Sequence, residues 1–399
     1  MHTRLLILFL WSALSTSVWA KTLEVSATGE FTTVKSALAA AAEGDTVVLG
    51  PGTYRETGLK IMRPITLRGV GEPIIDGELR GTILSVSADD VTIEGITFRN
   101  VGRSFTHDHA AIYLTRCKRF RICRNKVLNA FFGVHVEKSK SGVVAFNEIS
   151  GQASTEERAG NGVHMWHCSK ITVHHNLLHN LRDGIYFEFV DNSDISQNQS
   201  FDNLRYGLHF MFSNHDRYHR NRFENNGAGV AVMFSKFIEM SRNEFVENWG
   251  ASSYGLLLKE IYDAQVVDNL FRQNSTAIHA DGSTRIQYAG NRFLSNGWAV
   301  KVAGACYGNN FHNNRFEHNT FDLSYAGRLN DNLFDGNYWS DYTGYDLDRD
   351  GVGDVPYRPV KLFSYVVGRT PEAVILLRSL FVDIINFSEK VSEKDRSCI

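Results

Sequence analysis

Met211 and Met233 lie 22 residues apart, and His209 stands two residues before Met211. Thioether sulfur and imidazole nitrogen form a donor set suited to a soft metal ion. In an extended chain residues i and i+2 face the same way, so His209 and Met211 would share a face. Met233 joins them only if the intervening residues carry the chain round and back. The same condition would bring up His164, Trp166, Tyr186 and Glu188 as a flanking station or partner contact.

The chain does return at that interval. Asn-x-apolar recurs at Asn125, Asn147, Asn176, Asn198, Asn221, Asn243, Asn269, Asn291, Asn314 and Asn332, mostly 22 or 23 residues apart. Gly133, Gly162, Gly184, Gly207, Gly229 and Gly255 each open an alternating run, and Ala277 and Ala299 continue the series. The apolar members of these runs, such as Val163/Met165, Ile185/Phe187, Leu208/Phe210 and Val230/Val232, fall on one face, predicted to be interior. Two or three strands and three turns per repeat predict an all-β fold, a right-handed parallel β-helix with coils of about 22 residues. A leucine-rich repeat also sets Asn beside apolar residues. Here, however, the returning half of each repeat alternates like a strand and lacks a helix-length apolar stripe. The asparagines are predicted to be structural, because Asn tolerates left-handed turns and stacked amides bond coil to coil.

The positions between the apolar ones should face outward in two columns. The first reads Tyr113, His135, His164, Tyr186, His209, Ala231, Leu257, His279, Lys301; the second reads Thr115, Glu137, Trp166, Glu188, Met211, Met233, Lys259, Asp281. Adjacent coils place backbones about 4.8 Å apart, so Met211, Met233 and His209 can converge on one ion. His164 is two coils from His209, roughly 9–10 Å, too far to share a ligand set. Insertions at 102–110, 151–161 and 249–254 all fall just before the Gly-opened strand, where they would rim this face.

Acidic residues outnumber basic ones 44 to 42, with no long basic block, which argues against a nucleic-acid partner. The 399 residues are 43% apolar, ample for one large core. Five cysteines leave at least one unpaired, and Cys117 and Cys168, in coils two apart, should lie beyond disulfide reach.

The two ends differ in kind from the repeats. Residues 1–20 read as an export signal: Arg4, an apolar run from Leu5 to Trp11, and a small residue for cleavage after Ala20, which implies a periplasmic or otherwise exported protein. Val34 to Ala42 reads as a short amphipathic helix covering the first coil, with the β-helix running from about 40 to 335 inside a unit spanning 21–335. Within 336–368, Asp346, Asp348, Asp350 and Asp354, with Gly351, match an oxygen-ligand loop for calcium. Position 12 is Tyr357 rather than Glu, so a metal-free hydrogen-bonded turn competes with that reading. In 369–399, Thr370-Pro371 reads as a helix start, followed by an apolar helix from Ala373 to Phe387 that either caps the solenoid or docks on a partner.

The stretches NGVHMW at 161–166, RDGIYFEF at 182–189, RYGLHFMFSN at 205–214, GNYWSDYTGYDLDRDGVGD at 336–354 and RTPEAVILLRSLFVD at 369–383 resemble the NosD family. The resemblance implies a non-enzymatic periplasmic protein that handles copper while nitrous oxide reductase is matured for denitrification. It also implies an ABC transporter, with a membrane subunit and an ATPase subunit, and a small copper chaperone as partners. On that reading the ion at His209, Met211 and Met233 is transient copper, as Cu(I). Leu377, Leu380, Phe381 and Ile384 of the tail then meet the transporter's membrane subunit.

Two other functions fit the same scaffold. A polysaccharide lyase, hydrolase or epimerase would need paired carboxylates or a base flanked by cations. Glu137 and Glu188 share a column, but one coil separates them. A passive sugar-binding module would use Tyr113, Trp166 and Tyr186 as stacking platforms.

Overall fold

A computed structural model describes residues 20–326, 331–377, 379–385 and 388. Residues 1–19 of the predicted signal segment 1–20, and Cys398, lie outside the described residues. The chain winds into a parallel solenoid with three long sheets of 14, 12 and 13 strands. Strands pair with the equivalent strands of the coils on either side, so sheet neighbours stand three strands apart in the chain, except that Thr22–Val25 pairs with the very next strand, Thr46–Leu49. The Gly-opened runs form the 12-stranded sheet, and the return segments form the other two. The four described cysteines are buried and free.

Alternation builds the core. Leu208 and Phe210, Ile185 and Phe187, and Val230 and Val232 have no exposed surface. Aromatic rings stack from coil to coil in the interior, as in Phe245–Phe271–Phe293–Phe316–Trp339, with centroids 4.0–5.1 Å apart. Stacked, offset rings add a further ~1 kcal/mol per pair to the area they bury.

The asparagines close the turns. Asn221 Nδ2 donates to Ile195 O (2.9 Å) and to Asn243 Oδ1 (3.0 Å), while its Oδ1 accepts from Asn198 N and Nδ2 (both 2.9 Å). The ladder ends on Asn337, which takes Asn314, rather than on the predicted Asn332, which takes Asn309 in a different row. A second ladder, Asn203–Asn226–Asn248–Asn274–Asn296–Asn319, runs along another corner. Its period was present in the sequence but was not recognised.

The leading glycines are small because there is no room. A Cβ on Gly207 would stand 2.7 Å from Gly229 O and 2.8 Å from the Phe223 ring. Gly207 and Leu208 therefore both face inward, and strict alternation fails there.

Both ends depart from expectation. A strand at Thr22–Val25 opens the 14-stranded sheet, so the solenoid starts well before residue 40, and Tyr338–Trp339 extends it past 335. The N-terminal cap is α1, Val34–Ala40; Thr33 accepts from Ser36 N, and the Glu56 carboxylate takes Val34 N (2.7 Å) and Lys35 N (2.9 Å). At the other end Tyr357 packs on Trp339 (5.0 Å), and Val360 packs against the core. An unpredicted helix, α2, Leu362–Arg369, comes first, followed by a 3₁₀ segment at Pro371–Leu376 and by helical residues 380–385 inside the predicted 373–387, of which Arg378, Asn386 and Phe387 lie outside the described residues. Thr370-Pro371 both ends a helix and starts one: Thr370 closes α2 and, with Pro371 in the first turn, opens the 3₁₀ segment. Proline disfavours the α region for the residue before it, and Thr370 sits at φ −133°, ψ 83°.

Candidate metal-binding face

The outer surface of the 12-stranded sheet carries the predicted columns in register. His135, His164, Tyr186, His209 and Ala231 pair in succession, as do Glu137, Trp166, Glu188, Met211 and Met233. Met211 and Met233 are direct lateral neighbours and both are half-buried. Tyr186 separates His164 from His209, and Trp166 separates Glu137 from Glu188.

A third row, absent from the period-2 reading, lies beside the histidines. Because Gly207 and Leu208 both face inward, Tyr206 joins His209 outside, with ring centroids 4.7 Å apart. Its neighbours in register are Asp183 and, one coil further, Asn161. Together these rows wall in the imidazoles. His209 is 3% exposed, covered by Tyr186 at 5.0 Å and by Tyr206, and neither ring nitrogen has a hydrogen-bond partner. The sequence placed His209 outside the sheet, where it is; it gave no sign that the ring is buried there.

His135, which the sequence reading left out of the site, packs against His164 with the rings tilted by 47° and centroids 4.4 Å apart, and His164 Nδ1 lies 2.9 Å from Asn161 Nδ2. His164 in turn stacks on Tyr186 at 4.7 Å. Adjacency in the first column was the signal that could have found the pair.

Electrostatics keep these rings neutral. Burial, then Arg205 and Arg182, pushes the His209 imidazole down to about 4. Burial, then His135 and Arg182, drives His164 well below its ordinary value, and burial lowers His135 although Glu137 and Asp108 oppose it. A neutral imidazole keeps the lone pair that a metal requires. Asp183 has no exposed surface; burial raises its carboxyl to about 6 against the pull of Arg182 and Arg205. Its Oδ1 accepts from Tyr206 N (3.2 Å), while Oδ2 has no hydrogen-bond partner and lies 3.6 Å from Arg182 Nε.

The model of a family described as "Periplasmic copper-binding protein (NosD)" matches residues 145–344, half of the chain. The chain belongs to the NosD family. A "Probable ABC transporter binding protein NosD" of Pseudomonas aeruginosa is 29% identical over 84% of this chain and 82% of its own length. The protein of the same description from Stutzerimonas stutzeri is 27% identical over 83% and 79%. Among solved structures, the A-module of the Azotobacter vinelandii mannuronan C-5 epimerase AlgE6 aligns at TM-score 0.52 with 14% identity over 77% of this chain and 94% of its own. A Yersinia enterocolitica family 28 exopolygalacturonase aligns at 0.55 with 9% identity over 79% and 78%. At such identities the likeness is one of fold. The NosD match spans every half-buried or buried donor from His164 to Met233.

Elsewhere, the carboxylate oxygens of Asp346, Asp348 and Asp350 all lie within 4.8 Å of one another, exposed. Asp354 stands apart from them; its Oδ2 accepts from Leu347 N (2.7 Å). In the tail, Leu377 packs on a small cluster of Phe321, Phe363, Val367 and Val382, whereas Leu380, Phe381 and Ile384 are 74%, 54% and 57% exposed.

Proposed function

We propose that this chain is a periplasmic accessory protein, its signal cleaved after Ala20, that carries Cu(I) as transient cargo while nitrous oxide reductase is matured in denitrification. It works with an ABC transporter and a small copper chaperone, as the names of the relatives and the family resemblance suggest. The observation that carries the reading is the laterally paired Met211 and Met233, with the buried, neutral and unpartnered His209 imidazole two residues before Met211. Soft thioethers favour Cu(I), and imidazole completes the set. His164, His135 and Glu188 flank the site along the same columns. The half-buried thioethers stay within reach of a partner at the sheet surface, which suits transfer more than storage. Replacing both methionines, M211L with M233L, should leave the circular dichroism and melting temperature within a few degrees of wild type. It should weaken Cu(I) binding at least tenfold in competition with bicinchoninate. Wild-type affinity in the double variant would overturn the ligand assignment.

A non-enzymatic role fits the face. Trp166 stands between the two column carboxylates, so they are not direct lateral neighbours, and the relatives are described as binding proteins. The sugar-platform reading is weakened because Tyr186 has a face covered by His164 and Trp166 has Lys138 Nζ 4.9 Å above it.

The exposed Leu380, Phe381 and Ile384 support docking of the tail on the transporter's membrane subunit, and calcium is proposed as a structural ion on Asp346, Asp348 and Asp350. Truncation after Arg369 keeps α2 on Phe321, so the solenoid should stay folded while co-purification with the transporter is lost. Undiminished co-purification would sink the docking assignment.

A further inference from the structure

The row that follows the methionine column turns the chain from the 12-stranded sheet towards the next. Its residues are Arg116, Lys138, His167, Phe189, Phe212, Phe234, Glu260, Gly282 and Gly304, and all are left-handed, with φ between 50° and 65°. Glycine fills the slot in the last two coils. Phenylalanine fills it in three consecutive coils, although a bulky side chain is a poor occupant of that region. The turn imposes the left-handed backbone in every coil, so what calls for a use is the choice of a large aromatic side chain at three successive turns. The three rings and His167 stack face to face, with centroids 4.7–5.2 Å apart and planes within 14° of parallel, and the phenylalanines are 36–40% exposed. Phe212 and Phe234 directly follow Met211 and Met233.

Stacked rings cover one another's faces and show solvent their edges. A sugar needs an open aromatic face, so an edge-on ridge suits a complementary apolar groove on a protein. A shallow groove at the Phe234 end of the ridge is lined by Phe212, Phe234, Lys236, Glu260 and Tyr262. At the other end the same turns expose Arg116, Lys118, Lys138, Lys140 and Lys170. Among the described residues no carboxylate lies within ion-pair distance of these five, while Asp89 and Asp90 are taken by Arg119.

We propose that this ridge and its basic end are the docking surface for the copper-exchanging partner, a protein that presents an apolar groove beside an acidic patch. The inference rests on the copper reading, since the ridge borders the methionine pair. The ridge sets the partner's position, and the cations steer its approach.

The test uses the mature full-length chain, with purified copper chaperone, purified apo-reductase and alginate as separate binding probes. F189N/F212N/F234N keeps residues that tolerate the left-handed turn, and K138E/K140E/K170E reverses the basic end. Each variant should bind at least one of the two proteins tenfold more weakly than wild type. Wild-type binding of that protein should also fall with added salt, while Cu(I) affinity and melting temperature stay at wild-type values. The proposal is overturned if wild type binds neither protein, or if both variants bind as wild type does. Alginate binding that is lost in the phenylalanine variant, with protein binding unchanged, would assign the ridge to an anionic polysaccharide instead. Loss of Cu(I) binding alone, in M211L/M233L, reports on the copper reading and leaves the docking result separate.

Discussion

The asparagine ladders and the histidine–methionine face are both polar rows repeated once per coil, and they treat their polar atoms in opposite ways. In the ladder, Asn198 Nδ2 meets Val173 O and Asn221 Oδ1, and the pattern passes unbroken to the next coil. On the face, His209 has two unpartnered ring nitrogens, and His135 and His279 each have an unpartnered Nδ1. A buried polar atom without a partner costs roughly 1–3 kcal/mol. The ladder avoids that cost at every rung, while the face carries it where a ligand could remove it. Saturation marks the ladders; unpartnered atoms gather at the imidazoles of the face, though the buried Tyr218 and Tyr288 hydroxyls of the interior lack partners too.

The largest effect should come from breaking a rung. Asn221→Ala removes the acceptor for Asn198 N and the donor to Ile195 O, both buried. The expected loss is roughly 2–5 kcal/mol from two or more orphaned groups, read as a fall in the urea midpoint. The equivalent removal on the face, His209→Ala, orphans nothing, because that ring makes no hydrogen bond. A ladder variant as stable as wild type would erase the distinction.

How much of this was legible follows from what each feature depends on. Period and alternation are local, so the solenoid, the register of Met211 with Met233 and the inward Leu208 and Phe210 could be read from spacing. The burial of His209 depends on Tyr186 and Tyr206 closing over it, and Tyr206 reaches the outside only because Gly207 abandons alternation. That glycine is set by crowding against Gly229 and Phe223, which no count along the chain reveals. The left-handed phenylalanines were equally hidden, since Phe is a poor signal for such a turn. Only their alignment with Gly282 and Gly304 exposes the slot. At the tail, Pro371 carried a boundary signal with two meanings, and both are realised: packing of Phe363 and Val367 on Phe321 holds a helix before it, and a 3₁₀ segment begins at Pro371 itself.

The face can be tested through its charge. Asp183 titrates near 6 in the folded chain and near the ordinary carboxylate value when unfolded. A carboxyl raised by folding contributes stability below its unfolded value and loses it as pH rises through the folded one. Wild type should therefore lose stability between about pH 4 and 6 from this group, while D183N, which keeps an acceptor for Tyr206 N, should not. The variant should be more stable at pH 7.5 by on the order of 2–3 kcal/mol and show no advantage at pH 4. A variant less stable at both values would make Asp183 a required counter-ion to Arg182, placing this part of the face with the saturated scaffold.

The smallest effect belongs to the aspartate loop, which falls between the two cases. Asp346 Oδ2 accepts from Gly351 N (3.0 Å) and Asp350 Oδ1 from Val352 N (2.7 Å), so part of the cluster is already satisfied as a hydrogen-bonded turn. The remaining oxygens are exposed, and water can serve them, so nothing there obliges a metal to bind. Three converging carboxylates nevertheless repel one another, and an oxygen-seeking divalent cation relieves that repulsion. Calcium at millimolar concentration should raise the melting temperature by a few degrees through mass action, and chelator should reverse the rise. The rise should vanish in D346N/D350N, whose amide oxygens still accept from Gly351 N and Val352 N. If neither calcium nor chelator moves the melting temperature of the wild type, the loop is a saturated turn like the ladder and holds no ion.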